Sequence, residues 1–180
     1  KKSEHRVRTI IDTTYEGFWL VNNERVTIEV NPTMCKIFGM SREEIIGKNI
    51  FDFVDKENAK IFKEQMKLRR EGRSTAYEIA LQQPDGTNIP CLFNATPFFD
   101  DEGKRAGSFA MVTDISEQKK REKLVLMSDA IGNTLVSQLS LRARLQNCVE
   151  AIIDHTETVF ARIWTTTRDN DWLELQASAG

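Results

Sequence analysis

An α+β fold, with one antiparallel sheet covered on one face by short helices, is predicted by three features of the sequence. Two short strand-like stretches, one apolar and one β-branched, lie within residues 18–30, a run of capped helical segments follows, and from residue 75 the apolar period shortens to two over three long segments. The length of 180 residues allows one domain and a fraction of another.

Each element has its own signal. Val7, Ile10 and Ile11 stand at helical spacing and predict an amphipathic helix within residues 1–14. Phe18-Trp19-Leu20-Val21 and Val26-Thr27-Ile28-Glu29-Val30 predict strands, separated by a turn at Asn22-Asn23-Glu24. Asn31-Pro32 begins a helix, with an N-cap side chain and proline at the first helical position; Met34, Ile37 and Phe38 form its stripe, and Gly39 ends it. Ser41-Arg42-Glu43-Glu44 is a capping box for a second short helix that stops at Gly47. After a brief apolar element at Ile50–Val54, a longer helix is predicted from Asp55 to Arg70, with Ile61, Phe62 and Met66 facing inward. Strands follow at Thr75–Gln82, Asn88–Phe99 and Ala106–Ile115, joined by turns at Pro84-Asp85-Gly86-Thr87 and Asp100–Lys104. Pro90 and Pro97 predict a bulge or a free edge in the second of these.

The character changes after Ile115. A charged lead-in, Ser116 to Lys123, precedes Leu124, Met127, Ile131, Leu135 and Leu139 at helical spacing. This narrow seam over residues 116–138 predicts either a coiled-coil connector or a helix packed back on its own sheet. An amphipathic helix from Ser140 and a hairpin, Val159–Thr167 with Trp172–Ala179 about a turn at 168–171, complete the chain.

Charge and composition exclude several classes of function. The chain carries 25 Lys+Arg against 27 Asp+Glu, a net −2, so it has no basic footprint for nucleic acid. Hydrophobic residues make up 40%, too many for a disordered chain, yet no apolar run approaches the ~20 residues of a membrane span. With no signal peptide visible, a cytoplasmic location is expected. Cys35, Cys91 and Cys148 form no CxxC pair, and His5 and His155 are the only histidines, so no metal site is expected. The chain begins at Lys1, which leads us to expect a segment of a longer polypeptide.

Across residues 15–115 the chain resembles a PAS sensor domain. The resemblance is carried by Glu16-Gly17-Phe18-Trp19-Leu20-Val21, Val30-Asn31-Pro32, Phe38-Gly39 and Ser41 to Lys48. The turn Asp85-Gly86-Thr87 and the closing Val112-Thr113-Asp114-Ile115-Ser116 add to it. It implies a five-stranded antiparallel sheet wrapped by short helices around a pocket. Residues 139–180 are similar to the opening of a GAF domain, through Leu141 to Ala151, Phe160-Ala161-Arg162-Ile163-Trp164 and Leu173 to Gly180. A two-stranded hairpin alone is marginal, so its apolar residues Phe160, Ile163, Trp164 and Trp172 are expected to lack their usual cover.

The resemblance allows cofactors to be weighed residue by residue. Light-sensing LOV members attach flavin through a cysteine in a Gly-x-Asn-Cys-Arg segment; here Gly47-Lys48-Asn49-Ile50-Phe51 places Ile50 there, and no covalent adduct can form. Haem-binding members use a histidine from the long helix, and residues 55–70 contain none. Non-covalent flavin, a small metabolite, or no ligand at all stay open. Trp19, Phe38, Phe51, Phe62, Met66, Tyr77, Phe93 and Met111, with Asn94 as a polar contact, are expected either to line a ligand pocket or simply to form core.

No GxxxxGK[ST], GxSxG or HExxH pattern occurs, so no enzyme is expected. His155 lacks the Arg-Thr-Pro and the ATP-binding segment that would make it a phospho-acceptor. The implied function is sensing and relay. Asp114-Ile115-Ser116 matches the family's junction between the last strand and the outgoing helix, with Ser116 where threonine is usual. Ser116 is expected to cap that helix, and Asp114 to pair with a cation or only to cap. A homodimer through Val7, Ile10, Ile11 and the Leu124–Leu139 seam is expected, with an output domain on the same polypeptide, such as a histidine kinase or cyclic-dinucleotide enzyme. The alternative is a ligand-free dimerisation and spacer module.

Overall fold

The computed structural model describes residues 2–156, 158–166 and 172–180, and divides into two units, residues 1–116 and 117–180. The turn predicted at 168–171 lies outside the described residues.

In the first unit the order is α1 (Lys2–Thr13), β1 (Gly17–Asn22), β2 (Thr27–Val30), α2 (Pro32–Phe38), α3 (Arg42–Ile45), a 3-10 turn (Ile50–Phe53), α4 (Asn58–Arg70), β3 (Thr75–Gln82), β4 (Asn88–Phe99) and β5 (Arg105–Asp114). The strands form one antiparallel sheet in the order β2-β1-β5-β4-β3. The first and last strands are therefore neighbours, and Gly17 pairs with Val112.

Local chemistry sets the boundaries. Gly39 ends α2 in the left-handed conformation at φ 64°, and its N–H reaches the Cys35 and Lys36 carbonyls. Ser41 and Glu44 complete their reciprocal capping box. Helix α4 begins at Asn58 rather than at Asp55, because Asp55 stays outside as a cap: its Oδ1 accepts from the Glu57 and Asn58 N–H groups at 3.0 and 2.8 Å. Those bonds hold the Asp55 carboxyl below its usual range. The Asn58 side chain accepts in turn from the Ala80 N–H on edge strand β3. Pairing continues through Pro90 (with Ala80) and Pro97 (with Ser108), and the register shift between β4 and β5 falls after Phe98, where the extra residue is Ala106 of β5 rather than a residue of β4.

Asn31 binds three elements together. Its Oδ1 accepts from Phe18 N–H and Met34 N–H, and its Nδ2 donates to the Ile11 and Glu16 carbonyls, each at 2.9 Å. One side chain, 1% exposed, thereby caps α2, anchors the start of β1 and ties down the end of α1.

The core lies between one sheet face and the helices α2, α3 and α4. The sheet contributes Trp19, Val30, Ile79, Leu81, Cys91, Phe93, Ala95, Ala110 and Val112; the helical layer contributes Met34, Ile37, Phe38, Ile45, Ile50, Phe53 and Phe62. Each large side chain removed from water contributes roughly 1.5–3 kcal/mol, which is why this face fixes the register of every strand.

The second unit holds most of α5 (Ser116–Leu135), then α6 (Leu141–His155) and the hairpin β6 (Ala161–Thr166) and β7 (Leu173–Ala179). Ser140 caps α6, whose Cys148, Val149 and Ala151 are buried; Ala177 of β7 is buried too. The Gln146 amide spans from α6 to β7, donating to Ser178 O and accepting from Ser178 N–H. Phe160, Trp164 and Trp172 remain exposed as expected, while Ile163 is half-buried. Helix α5 ends at Leu135, so Leu139 falls in the following bend and not on the seam. The chain breaks there because Ser137 and Ser140 favour turn and cap over helix: Ser137 Oγ donates to the Thr134 carbonyl, and Ser140 caps α6. All three cysteines are free.

Candidate functional site

Trp19 is the centre of the aromatic core. Its ring meets Phe38 and Phe53 edge-on, at centroid distances of 5.0 and 5.5 Å, and its Nε1 donates to Thr27 Oγ1 at 3.0 Å. Phe93 stacks on Tyr77 at 5.4 Å and meets Phe62 edge-on at 5.7 Å. Such pairs add about 0.5–1.5 kcal/mol each beyond their area.

Seven of the nine pocket residues expected from sequence belong to this cluster or its margin. Trp19, Phe38, Phe62 and Phe93 are buried, and Phe51, Met66 and Tyr77 pack against them half-buried. Asn94 and Met111 do not join them. They are paired across β4 and β5 on the opposite face of the sheet, Asn94 exposed and Met111 half-buried. Strand alternation requires this, because Phe93 and Val112 occupy the inward positions beside them. Phe53, which the sequence left out of the pocket, takes the central place instead of Phe51, because the 3-10 turn rotates Phe53 inward to contact Phe38 at 4.2 Å.

The space left inside is small. A cavity of about 30 Å³ is lined by Trp19, Phe62, Phe93, Ala95, Ala110 and Arg69, among others. A drug- or cofactor-sized ligand needs about 300 Å³ or more. The residues present therefore do not fit a flavin or a haem: the aromatic rings occupy that volume, and Ile50, 5% exposed, offers no thiol. Among the described residues no cluster of His, Cys, Asp and Glu could hold a metal.

Arg69 was not singled out from the sequence. It is 5% exposed, and its guanidinium donates to the hydroxyls of Tyr77 at 3.2 Å and Thr75 at 3.4 Å while standing over the Tyr77 ring. Burial pushes the Tyr77 hydroxyl up, against the opposing charge of Arg69. The only sequence signal was a basic last turn of α4, which ordinarily reads as a solvated helix end. On the other side of the core, burial and the charge of Asp114 push the Cys91 thiol up to about 12.

The junction residues come together at the end of β5. Ile115 is buried at 5% exposure and its N–H donates to the Pro90 carbonyl at 2.9 Å, locking it to β4. Asp114 Oδ1 accepts from the Ser116 N–H at 2.8 Å, so Asp114 rather than Ser116 supplies the side-chain oxygen at the start of α5. Among the described residues Asp114 forms no ion pair with a cation; the capping geometry turns its carboxylate toward the helix instead. Thr113 Oγ1 donates to Glu16 Oε1 at 3.0 Å, joining this end of β5 to the residue before β1.

The eight dimer residues expected from sequence lie on α1, α5 and the bend after α5. Val7 and Ile10 are exposed and Ile11 is half-buried; Leu124, Leu135 and Leu139 are exposed, and Met127 and Ile131 half-buried. Among its described residues α5 buries none. No described helix is long and apolar enough to cross a membrane.

Comparisons with known proteins agree with this geometry. The chain is similar to the methanogenesis regulatory histidine kinase FilI of Methanothrix harundinacea, 26% identical over 74% of this chain and 16% of that protein. It is also similar to the aerobic respiration control sensor protein ArcB of Escherichia coli, 24% identical over 77% of this chain and 18% of that protein. The chain thus spans less than a fifth of these relatives. The crystal structure of a PAS domain from Colwellia psychrerythraea superposes with a TM-score of 0.58 at 15% identity, covering 65% of this chain and 99% of that one. The Rhodobacter sphaeroides LOV protein superposes with a TM-score of 0.58 at 14% identity, over 86% of this chain and 92% of that one, which shows a shared fold. The family model for the PAS domain matches residues 16–117, and the chain belongs to the PAS domain family.

Proposed function

We propose that this chain is the sensory and relay module of a larger histidine-kinase-like protein, passing a change in its core through Asp114-Ile115-Ser116 into α5. The observation that carries this reading is the junction. Ile115 is fixed in the sheet while the Asp114 carboxylate holds the first N–H of α5, so no slack separates the last strand from the helix. A displacement of β5 must then move the helix start with it. The relay needs two states of similar energy, with the signal favouring one of them. The similarity to FilI and ArcB, named as a histidine kinase and a sensor protein, supports an output domain on the same polypeptide.

Leu124 and Leu135, exposed, and Met127 and Ile131, half-buried, support a homodimer through α5. Helix α6 and its hairpin fit the opening of a GAF domain. The test is Asp114→Ala in the full-length protein. Kinase output should lose its response to signal while the domain stays folded; unchanged output would refute the relay.

A second reading, a ligand-free dimerisation and spacer module, is favoured by the filled aromatic core and its cavity of about 30 Å³. Ligand-dependent melting separates the two.

A further inference from the structure

Four arginines converge beside the aromatic core. Arg25 comes from the β1–β2 turn, Arg69 and Arg70 from the last turn of α4, and Arg105 from the first position of β5. Together they line a second cleft of about 20 Å³ that contains no acidic residue. This cleft adjoins the core cavity, since Val21, Ile50, Arg69 and Ser108 line both.

The arrangement is held in place. Arg25 sits at φ 70°, a backbone conformation rare outside glycine, and its guanidinium stands over the Phe51 ring at 5.7 Å. The Asn23 side chain donates to the Arg105 carbonyl at 2.7 Å, fastening the turn to β5. Arg69 is buried with two neutral hydroxyl partners. The Nε groups of Arg25 and Arg105 are buried with no hydrogen-bond partner. Burial and repulsion from Arg69 and Arg70 push the Arg105 guanidinium down.

Arg69 is buried, Arg25 and Arg105 are half-buried and Arg70 is exposed, and holding like charges together at such a partly enclosed place is unfavourable unless something of opposite sign offsets it. Arg8, Arg42 and Arg73 pair with Asp12, Glu29 and Glu71, whereas no ion pair among the described residues involves any of these four. The dipole of α4 accounts for Arg69 and Arg70 at its end, but not for the convergence of Arg25 and Arg105.

We infer that this cleft is a binding site for a small carboxylate, its oxygens held by the guanidinium groups of Arg25, Arg69, Arg70 and Arg105 and its short apolar tail seated against Trp19, Phe62 and Phe93. Planar guanidinium groups match the two oxygens of a carboxylate, and an apolar cavity opens directly behind them. Both spaces exceed the 10–15 Å³ or so that one water needs, yet neither admits a nucleotide base or a tricyclic ring. The inference deepens the sensor reading by giving the signal a chemistry. A bound tail would press on Ala110, at the middle of the strand that ends at the junction.

The experiment is calorimetric titration of the 180-residue chain with sodium propionate, and separately with inorganic phosphate, in chloride buffer at constant ionic strength. Arg69→Gln risks the fold, so Arg105→Gln, on a half-buried residue, is the informative variant once circular dichroism shows it folded. Saturable propionate binding is expected, weakened about tenfold or more in Arg105→Gln by loss of a charge-assisted hydrogen bond. Phosphate, which has no tail, should bind at least tenfold more weakly. No saturable propionate binding, equal binding by Arg105→Gln, or phosphate binding as tight as propionate would overturn the inference. Binding is read without any output domain. Failure here with an intact Asp114→Ala effect leaves the relay standing, and binding with no Asp114→Ala effect removes the relay alone.

Discussion

Replacing Asn31 with alanine should cost the PAS unit a large part of its stability, because four hydrogen bonds depend on that one side chain. The bond from Met34 N–H is fully enclosed, and a buried donor left without an acceptor costs about 1–3 kcal/mol. The Phe18 N–H and the Ile11 and Glu16 carbonyls are partly within reach of water, so each contributes a net of about 0.5–1.5 kcal/mol. The loss should total about 3–7 kcal/mol, against the 5–15 or so by which a domain of this kind is usually stable. Urea unfolding followed by far-ultraviolet circular dichroism measures it. Asn31→Asp keeps the acceptor oxygen that serves Phe18 and Met34 and loses both donated bonds, so its midpoint should fall between wild type and Asn31→Ala. A loss in Asn31→Ala below about 1 kcal/mol would refute the argument, since even one enclosed orphan donor should exceed that.

Further outcomes are expected at other positions. A Cβ at Gly107 would stand 2.1 Å from the Val21 carbonyl oxygen, in the ladder between β1 and β5, so Gly107→Ala should destabilise by about 1–3 kcal/mol and lower the melting temperature. The Cys91 thiol, held at about 12 when folded against an ordinary value of 9, is neutral in both states below pH 9; above it the unfolded chain ionises first. Stability should therefore fall between pH 9 and 12, with Tyr77 adding in the same direction, and Cys91→Ala should flatten part of the decline in urea midpoint. Ile50→Cys should purify without flavin colour, because a thiol there does not make room among Trp19, Phe53 and Phe62; a yellow, light-responsive product would contradict the filled core.

Much of this fold was readable because its punctuation is local. Asn31-Pro32, Gly39 and the Ser41/Glu44 box act within one helical turn, and each stands where its chemistry predicts. The inward face of β4 and β5 was harder to read. Phe109 and Met111 are as apolar as Ala110 and Val112, so β5 carries no polar face to reveal its parity, and nothing in the pattern shows that Met111 and its partner Asn94 face away from the core. The 3-10 turn hid Phe53 in the same way, because neither a helical nor a strand period describes it. The arginine cluster has no sequence signature at all. Its members span from residue 25 to residue 105, and only the pairing of β1 with β5 brings the turn after β1 beside the first residue of β5.

The adjacency of β1 and β5 also sets the mechanical character of the domain. The chain enters the sheet at Gly17 and leaves it beside Val112, at the same end of two antiparallel neighbours. Tension applied through the flanking helices therefore acts along the interstrand hydrogen bonds and loads them one after another, beginning at the Gly17–Val112 pair. Two strands pulled from opposite ends would share that load across the whole ladder. This one opens like a zipper, so a weak pull at its ends disturbs first the pairs nearest Asp114.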